Sequence, residues 1–457
     1  MVSVMAKKKK KQKHLLGKNE FLFNFFSIII VIGIAVYFGA RSLYYYSKQN
    51  IKIQEESQTL NGLIIHQNRV VQDNEDGLHQ DSNGYYFKGN ITNNYVLFAN
   101  RLFRVIRVNN DNSIKMVSES YAASFMWGDS SPYQESNLYN WLTKTSKEYS
   151  GIYYDTIPNV EKVLSKTKYS EDILNGEKVK DGSKKGSEYV TTLGVKDYVL
   201  ANGKSSYLNN GSVFFLLGLS NDDENLYIED DGSIQKCDNL EGYGVRPVIT
   251  LKENIEVTTG DGTAQNPYVV AYGEEKTAID QYVKLGNDIW KIYSDKNGVL
   301  KLYKNEYIVD NNQEFLSSYS DTNSIFDLKD KKNIAYYLNN VYYNSLVYAP
   351  FLLDSEYYIG EISDDAGYDY TNIYKEKVVC KVGLLNIFDY NPASSLNNFF
   401  YLNTTSLVGS MEYNRSSNGI LGEVDVRELR HVVPTISIQK NMIKSGNGTL
   451  SEPYVLE

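Results

Sequence analysis

The chain has 457 residues, with 47 Lys or Arg and 56 Asp or Glu side chains, so its formal net charge is -9. Its 42% hydrophobic and 23% charged residues and its two cysteines exclude a disordered chain, a polytopic membrane protein and a small disulfide-stapled domain. The charge is uneven, because residues 1–50 have a balance of +8 and the remainder therefore has −17. This acidic remainder argues against a nucleic-acid partner.

The N-terminal segment predicts a membrane anchor. Residues 1–20 form a basic cytoplasmic tail, and residues 21–40 carry no charge. A helix of that length spans roughly 30 Å, the thickness of a bilayer core, so the predicted partner of residues 21–40 is the lipid bilayer. The lysines before this segment predict a cytoplasmic N-terminus and an extracellular C-terminal bulk in the cell membrane. A cleaved signal peptide is the alternative, although Phe38 is large where cleavage needs a small residue.

Residues 41–82 are predicted to be a stalk or linker. They are polar and acidic, with no sustained alternation of the kind that strands show. A heptad-like run from Ile51 to Ile64 favours a stalk helix. A flexible spacer is an equal alternative.

An internal repeat follows the linker. Tyr95-Val-Leu-Phe-Ala-Asn-Arg-Leu-Phe-Arg-Val-Ile corresponds to residues 282–293, and Gly260-Asp-Gly-Thr-Ala-Gln-Asn-Pro-Tyr-Val corresponds to residues 446–455. Six such correspondences occur in the same order, with offsets from 186 to 196. We therefore predict two copies of one extracellular module, residues 83–273 and 274–457.

The predicted fold class is α+β, with an N-terminal single transmembrane helix and two tandem, mainly antiparallel-sheet domains. Residues 95–98, 102–108 and 113–118 alternate apolar and polar, as half-buried strands do. Ser136 is a predicted N-cap, and a second short helix is predicted over Val195–Ala201. Strands cluster along the chain and do not alternate with helices, which places the helices to one side of an antiparallel sheet.

A set of short motifs resembles a recurrent, uncharacterised extracellular module of surface proteins from Gram-positive and wall-less bacteria. The motifs are Asp76-Gly-Leu, Gly84-Tyr-Tyr-Phe-Lys-Gly, Phe103-Arg-Val-Ile-Arg-Val, Leu193-Gly-Val-Lys-Asp-Tyr and Tyr243-Gly-Val-Arg-Pro-Val-Ile. The resemblance implies a C-type-lectin-like core, the kind that formylglycine-generating enzymes also use. It carries over no catalytic residue. The second copy departs from the pattern, with Val433 where the first has Arg246.

We predict no catalytic, cofactor-binding or metal-binding residue and no cofactor. A Ser–His or Cys–His nucleophile needs a histidine, and His431, the one histidine within a repeat, is interpreted as structural. A penicillin-binding-type pattern is split between the two copies, so we reject it. Its parts are Ser165-x-x-Lys168, Ser395-x-Asn397 and Lys444-Ser445-Gly446.

Carboxylate clusters, cysteines and tyrosines leave alternatives open. Asp222-Asp223-Glu224, Glu229-Asp230-Asp231 and Asp364-Asp365 lack the spacing of a calcium loop, although separate loops can build a calcium site and two carboxylates a glycosidase. Cys237 and Cys380 are interpreted as unpaired, with a bridge between the copies as the alternative. The 40 tyrosines favour compositional bias and half-buried strand positions over a binding signature.

The predicted function is that of a membrane-anchored bacterial surface protein. We expect it to bind an extracellular protein or glycan without catalysis. The alternatives are a cell-wall or polysaccharide hydrolase, and a structural or sensory subunit of a membrane complex.

Overall fold

The computed structural model describes a chain that is mainly β-sheet. The described residues are 25, 33–34, 36–42, 44, 58–272, 276–310, 312–362, 370–392, 396, 398–405, 411–415 and 418–456. Strands account for 38% of the structure and helices for 17%. The predicted α+β class is therefore wrong, because the strands far outnumber the helices, most of which are only three to six residues long.

The predicted transmembrane helix is the second correction to the fold class. Most of residues 21–40 lie outside the described part, and the described residues 36–42 are helical and exposed. Among the described residues, no helix is both long enough and apolar enough to cross a membrane.

The first half of the fold, residues 58–272, begins with a helix over Leu60–Gln67 and contains nineteen strands. They are β1 Gly77–Asp81, β2 Gly84–Lys88, β3 Tyr95–Phe98, β4 Arg101–Asn109, β5 Ile114–Ser118, β6 Ala123–Met126, β7 Leu164–Ser165, β8 Thr167–Ser170, β9 Ile173–Asn175, β10 Lys178–Lys180, β11 Lys185–Glu188, β12 Val190–Thr192, β13 Phe214–Ser220, β14 Asn225–Ile228, β15 Ile234–Cys237, β16 Gly242–Val245, β17 Pro247–Leu251, β18 Val257–Thr259 and β19 Tyr268–Val270. Its other helices are short: Tyr133–Glu135, Asn137–Leu142, Tyr154–Thr156, Val160–Val163, Val195–Leu200 and Gly203–Ser205.

The second half, residues 276–456 as far as they are described, contributes sixteen strands. They are β20 Tyr282–Leu285, β21 Asp288–Lys296, β22 Val299–Lys304, β23 Val309–Asp310, β24 Gln313–Glu314, β25 Leu316–Ser317, β26 Ser355–Tyr358, β27 Lys377–Cys380, β28 Val382–Gly383, β29 Phe400–Thr405, β30 Met411–Arg415, β31 Leu421–Asp425, β32 Arg430–His431, β33 Thr435–Gln439, β34 Ile443–Ser445 and β35 Tyr454–Leu456. One helix runs from Ile334 to Ser345, with a π-helical middle over Tyr337–Tyr342, and short 3-10 turns lie at Ala349–Phe351, Tyr370–Tyr374 and Lys440–Met442.

The two halves contain sheets of the same strand order. The first sheet runs β12-β17-β5-β4-β3-β19-β18, and the second runs β28-β33-β22-β21-β20-β35-β34. In both, the sixth strand is parallel to the fifth, and the long central hairpin has a bulge at the same place. Each sheet ends in a Gly-x-Gly turn, at Gly260 and Gly446, where the positive φ excludes most other residues. The predicted domain boundaries themselves stay a prediction.

A third sheet, the shared sheet, contains strands of both halves. Its order is β10-β9-β13-β16-β31-β30-β29-β32-β25, and the halves meet where Gly242 of β16 pairs with Leu421 of β31. A Cβ on Gly242 would lie 2.6 Å from the Leu421 Cβ, so the close approach of the strands requires glycine here. One continuous buried core extends through both halves.

Local signals explain several of the elements. The β3–β4 hairpin turns at Ala99 and Asn100, both with positive φ as a tight two-residue hairpin requires. The Ser136 hydroxyl accepts a hydrogen bond from the Tyr139 amide at 3.1 Å, so the predicted N-cap is confirmed. The helix Leu60–Gln67 does not stand apart as a stalk, because its Leu60 and Ile64 are fully buried in the core.

Candidate functional site

The central hairpin of each half forms one wall of a cleft. Lys115 of β5 lies opposite Thr250 of β17, and Lys301 of β22 lies opposite Ser437 of β33, so the two lysines occupy equivalent positions. The cleft residues Arg107, Asn109, Ser113 and Lys115 correspond in this register to Ser294, Lys296, Val299 and Lys301, which line a cleft in the second half. The same face of the repeated hairpin therefore lines a cleft in both halves.

The segment after the first strand of each sheet supplies a second equivalent wall. Val190 of β12 pairs with Ile249, and Val382 of β28 pairs with Ile436, which makes Asp197 equivalent to Asp389. Both aspartates line their clefts. A lysine from the hairpin and an aspartate from this segment thus recur in the two clefts.

The first cleft lies wholly within the first half. It consists of two adjoining cavities of about 290 and 580 Å³ that share Lys115, Lys168, Lys196 and Asp197. The Lys115 Nζ lies 2.6 Å from Asp197 Oδ2, and the Lys196 Nζ lies 2.6 Å from Asp181 Oδ1. The lysine contacts lower the pKa of Asp181, the Lys196 hydrogen bond contributing most. The charged groups of the first cleft are therefore largely paired with one another.

The second cleft is a single cavity and lies between the halves. Its volume is about 680 Å³, and the first half supplies Glu148, Ile152, Asp155 and Thr156 to its wall. The second half supplies the hairpin residues, Asp389 and four tyrosines, which are Tyr293, Tyr358, Tyr374 and Tyr390. The sequence repeat thus produces two clefts of related construction, of which only the second is built by both halves.

Tyrosine rings give the second cleft an aromatic side. The rings of Tyr358 and Tyr374 meet edge to face, with centroids 4.7 Å apart, and both side chains are partly exposed. Burial raises the pKa of Tyr374 and of Tyr390 well above the usual value for tyrosine. Both hydroxyls are therefore protonated at neutral pH, and that of Tyr390 donates its hydrogen bond to Asp280.

Charged and amide groups line the rest of the second cleft in balanced number. The carboxylates are Glu148, Asp155 and Asp389, and the cations are Lys296, Lys301 and Lys377. Asp155 contacts Lys296 at 3.3 Å and Lys144 at 3.1 Å. The Lys301 Nζ donates to the Glu356 carbonyl at 3.1 Å. The cleft therefore combines aromatic faces with polar groups of both signs.

An aromatic interface holds the two halves beside the cleft. Phe388 is fully buried, and its ring stacks on Tyr149 with centroids 4.7 Å and planes 7° apart. The Phe388 ring also lies 5.0 Å from that of Phe125, and its carbonyl accepts a hydrogen bond of 2.8 Å from the Trp141 indole. Since Phe388 directly precedes Asp389, this packing fixes the segment that lines the cleft.

The histidine and the penicillin-binding-type residues that the sequence singled out do not line the second cleft. The His431 ring packs on Tyr307 with centroids 4.2 Å apart, and its Nε2 lies 2.8 Å from Glu314 Oε2, away from either cleft. Ser165 and Lys168 line the first cleft, whereas Ser395 and Asn397 lie outside the described residues. The described part therefore does not bring the pieces of the penicillin-binding-type pattern together.

The cysteines and carboxylate clusters also do not form a site. Cys237 and Cys380 are free, buried thiols, and burial raises the pKa of each to about 12. Lys236 contacts both Asp222 and Glu224, and Asp364-Asp365 lies outside the described residues. In the part of the chain that the structure covers, no group of His, Cys, Asp or Glu side chains could hold a metal ion.

Comparison with known proteins leaves the chain without a match: no protein-family model, no curated protein and no solved structure is similar to it. The resemblance to a bacterial surface module stays a prediction, and the sheet-rich fold is compatible with a lectin-like β domain.

Proposed function

We propose that the protein is a non-catalytic binding protein and that the second cleft takes a glycan. The observation that carries this proposal is the recurrence of one cleft position in both halves. Its form in the second half, a single cavity of about 680 Å³ with tyrosine faces, adds to this. A binding protein needs such a concave, partly aromatic surface with a few polar groups.

The chemistry of the second cleft suits an uncharged sugar. Sugar rings present apolar faces that stack on aromatic rings such as Tyr358 and Tyr374, and hydroxyl edges that hydrogen-bond to carboxylate, amide and ammonium groups. The three carboxylates and three lysines of the cleft balance each other, so no strong field selects an anion or a cation. A neutral glycan chain is therefore the ligand class we favour.

The hydrolase alternative has weaker support. A glycosidase needs two carboxyl groups across the scissile bond, one of which carries a proton in the reactive state. Asp155 contacts two ammonium groups instead. The bacterial surface location predicted from the sequence rests on residues 21–40, and it stays a prediction.

Titration of the purified full chain with oligosaccharides from chitin, cellulose and galactan tests the proposal. We expect Tyr358→Ala and Tyr374→Ala each to weaken binding by about five- to ten-fold, as the loss of one ring contact would. Lys168→Ala in the first cleft is the matched control and should bind as the wild type does. Hydrolysis of the oligosaccharides, or equal affinity in all three variants, would contradict the proposal.

A further inference from the structure

A buried cluster of charges lies behind the second cleft, at the junction of the halves. The Asp280 carboxylate lies 2.8 Å from the Arg101 Nε and 3.2 Å from the Lys291 Nζ, and it also accepts a hydrogen bond from the Tyr390 hydroxyl. The side chains of Arg101 and Asp280 are each only 5% exposed, and that of Lys291 is 11% exposed. The Arg101 Nε–H does not point at the carboxylate, so that contact is an ion pair without an aligned hydrogen bond.

The cluster contacts both walls of the cleft. Arg101 Nη2 donates a hydrogen bond of 2.7 Å to the carbonyl of Thr156, which lines the cleft from the first half. Tyr390, which lines the cleft from the second half, is bonded to the same Asp280. The guanidinium carbon lies 5.0 Å from the ring centroid of Tyr153 and 5.0 Å from that of Tyr390. A single set of contacts therefore joins the two walls.

Arg101 and Asp280 are specific to the junction, whereas the third charge, Lys291, recurs in the first half as Arg104, which lies opposite Tyr95 as Lys291 lies opposite Tyr282. The Val105 amide donates to the Asn94 carbonyl at 2.9 Å, and the Ile292 amide donates to the Gln281 carbonyl at 2.9 Å. Asn94 and Gln281 therefore occupy equivalent positions in the two halves. The position equivalent to Asp280 is therefore residue 93, an asparagine, and the first half has no carboxylate there. Burial of two cations and one carboxylate is unfavourable unless their charges are well paired and hydrogen-bonded. A role in the assembled cleft therefore accounts for this buried cluster better than a contribution to stability does.

We propose that Arg101 and Asp280 are positioning residues of the second cleft, which hold its two walls at the distance that the ligand requires. This inference rests on the proposed function of that cleft as a binding site. Asp280 sets the place of Tyr390, and Arg101 sets the place of the segment that ends at Thr156. The ligand would contact the walls and not the cluster itself.

Hydrogen exchange of the ligand-free full chain tests the positioning role directly. Arg101→Met removes the bond to Thr156 but leaves Asp280 paired with Lys291, so we expect the variant to fold. Amides of residues 151–157 should then exchange about ten-fold faster, while the rest of the first half keeps its protection. Asp280→Asn should also speed the exchange of the amides around Tyr390. If Asp280→Asn does not fold, the result for Arg101→Met decides the test.

Arg104→Met is the matched control, because Arg104 is equally buried in the first half and bonds to Asn94 and Ile91 away from the second cleft. It should leave exchange at residues 151–157 unchanged, and Arg101→Lys should restore part of the protection. Unchanged exchange at residues 151–157 in folded Arg101→Met overturns the proposal, as does an equal change in Arg104→Met. If the wild-type chain binds none of the oligosaccharides, only the glycan proposal is refuted. The hydrogen-exchange result still supports or overturns the positioning role.

Discussion

The contacts of Phe388 predict that the two halves unfold as one cooperative unit. Its ring lies in the second half, is 0% exposed, and packs on Tyr149 and Phe125 of the first half. Phe388→Ala deletes this packing and leaves the backbone hydrogen bond from Trp141 in place. Replacement of a buried phenylalanine by alanine costs about 3–5 kcal/mol. Because both stacking partners belong to the other half, nearly all of that loss should fall on the coupling between the halves.

Urea unfolding followed by tryptophan fluorescence and by circular dichroism measures this coupling. Trp127 and Trp141 report on the first half and Trp290 on the second. The wild type should give coincident transitions, and Phe388→Ala should give two separate ones. Phe103→Ala, a fully buried site inside the first sheet, should cost a similar free energy while the transitions stay coincident. A loss below about 1 kcal/mol in Phe388→Ala, or a single transition in both variants, would refute the reasoning.

Three further predictions concern the thiols, alkaline pH and one turn. Neither Cys237 nor Cys380 should react with iodoacetamide before urea is added, and a reductant should leave the melting temperature unchanged; labelling of the folded chain would show that burial is incomplete. Burial raises the pKa of both thiols from 9.0, and that of Tyr268 from 10.0, to about 12. Between pH 9 and 12 the folded state therefore binds more protons than the unfolded state does, so this stability is fully present below about pH 9 and should fall as the pH rises towards 12. In a double Cys→Ala variant the fall between pH 9 and 10 should be shallower. Gly446→Ala should lower the free energy of unfolding by about 1–3 kcal/mol, because φ is +91° and the added Cβ would lie 2.1 Å from the Pro453 carbonyl oxygen. In the control, Gly298→Ala, the added Cβ would have no atom within 4 Å, so the loss of free energy should be smaller. Equal losses in the two variants would disprove the steric account.

The sequence predicted the local elements better than the fold class. Alternation identified β3, β4 and β5, and Ser136 marked the start of a short helix, because those signals depend on neighbours along the chain. The balance of strand and helix was misjudged, since two- and three-residue strands such as β7 and β28 are too short to show a period of two. Their pairing depends on partners far away in the chain.

The candidate site was not predicted, although part of its signal was present. The correspondence of Lys115 with Lys301 belongs to the internal repeat, but nothing in a repeat says which face of a hairpin is covered. Asp389 was missed because the match is short: Leu193-Gly-Val-Lys-Asp-Tyr shares only Leu, Asp and Tyr with residues 385–390, and the register of β12 and β28 was needed to relate the two segments. The wall from Glu148 to Thr156 depends on how the halves pack, which no local pattern encodes.

The pairing of Gly242 with Leu421 has a consequence for synthesis of the chain. A ribosome adds about 5–20 residues per second, so the second partner emerges roughly 10 to 35 s after the first. During that interval the β16 edge at Gly242 has no neighbour from the second half, and an open edge is a template for pairing with another chain. A nascent or truncated chain that ends before Leu421 therefore leaves Gly242 open to another chain on this side alone, because β6 and β13 of the first half still pair with β16.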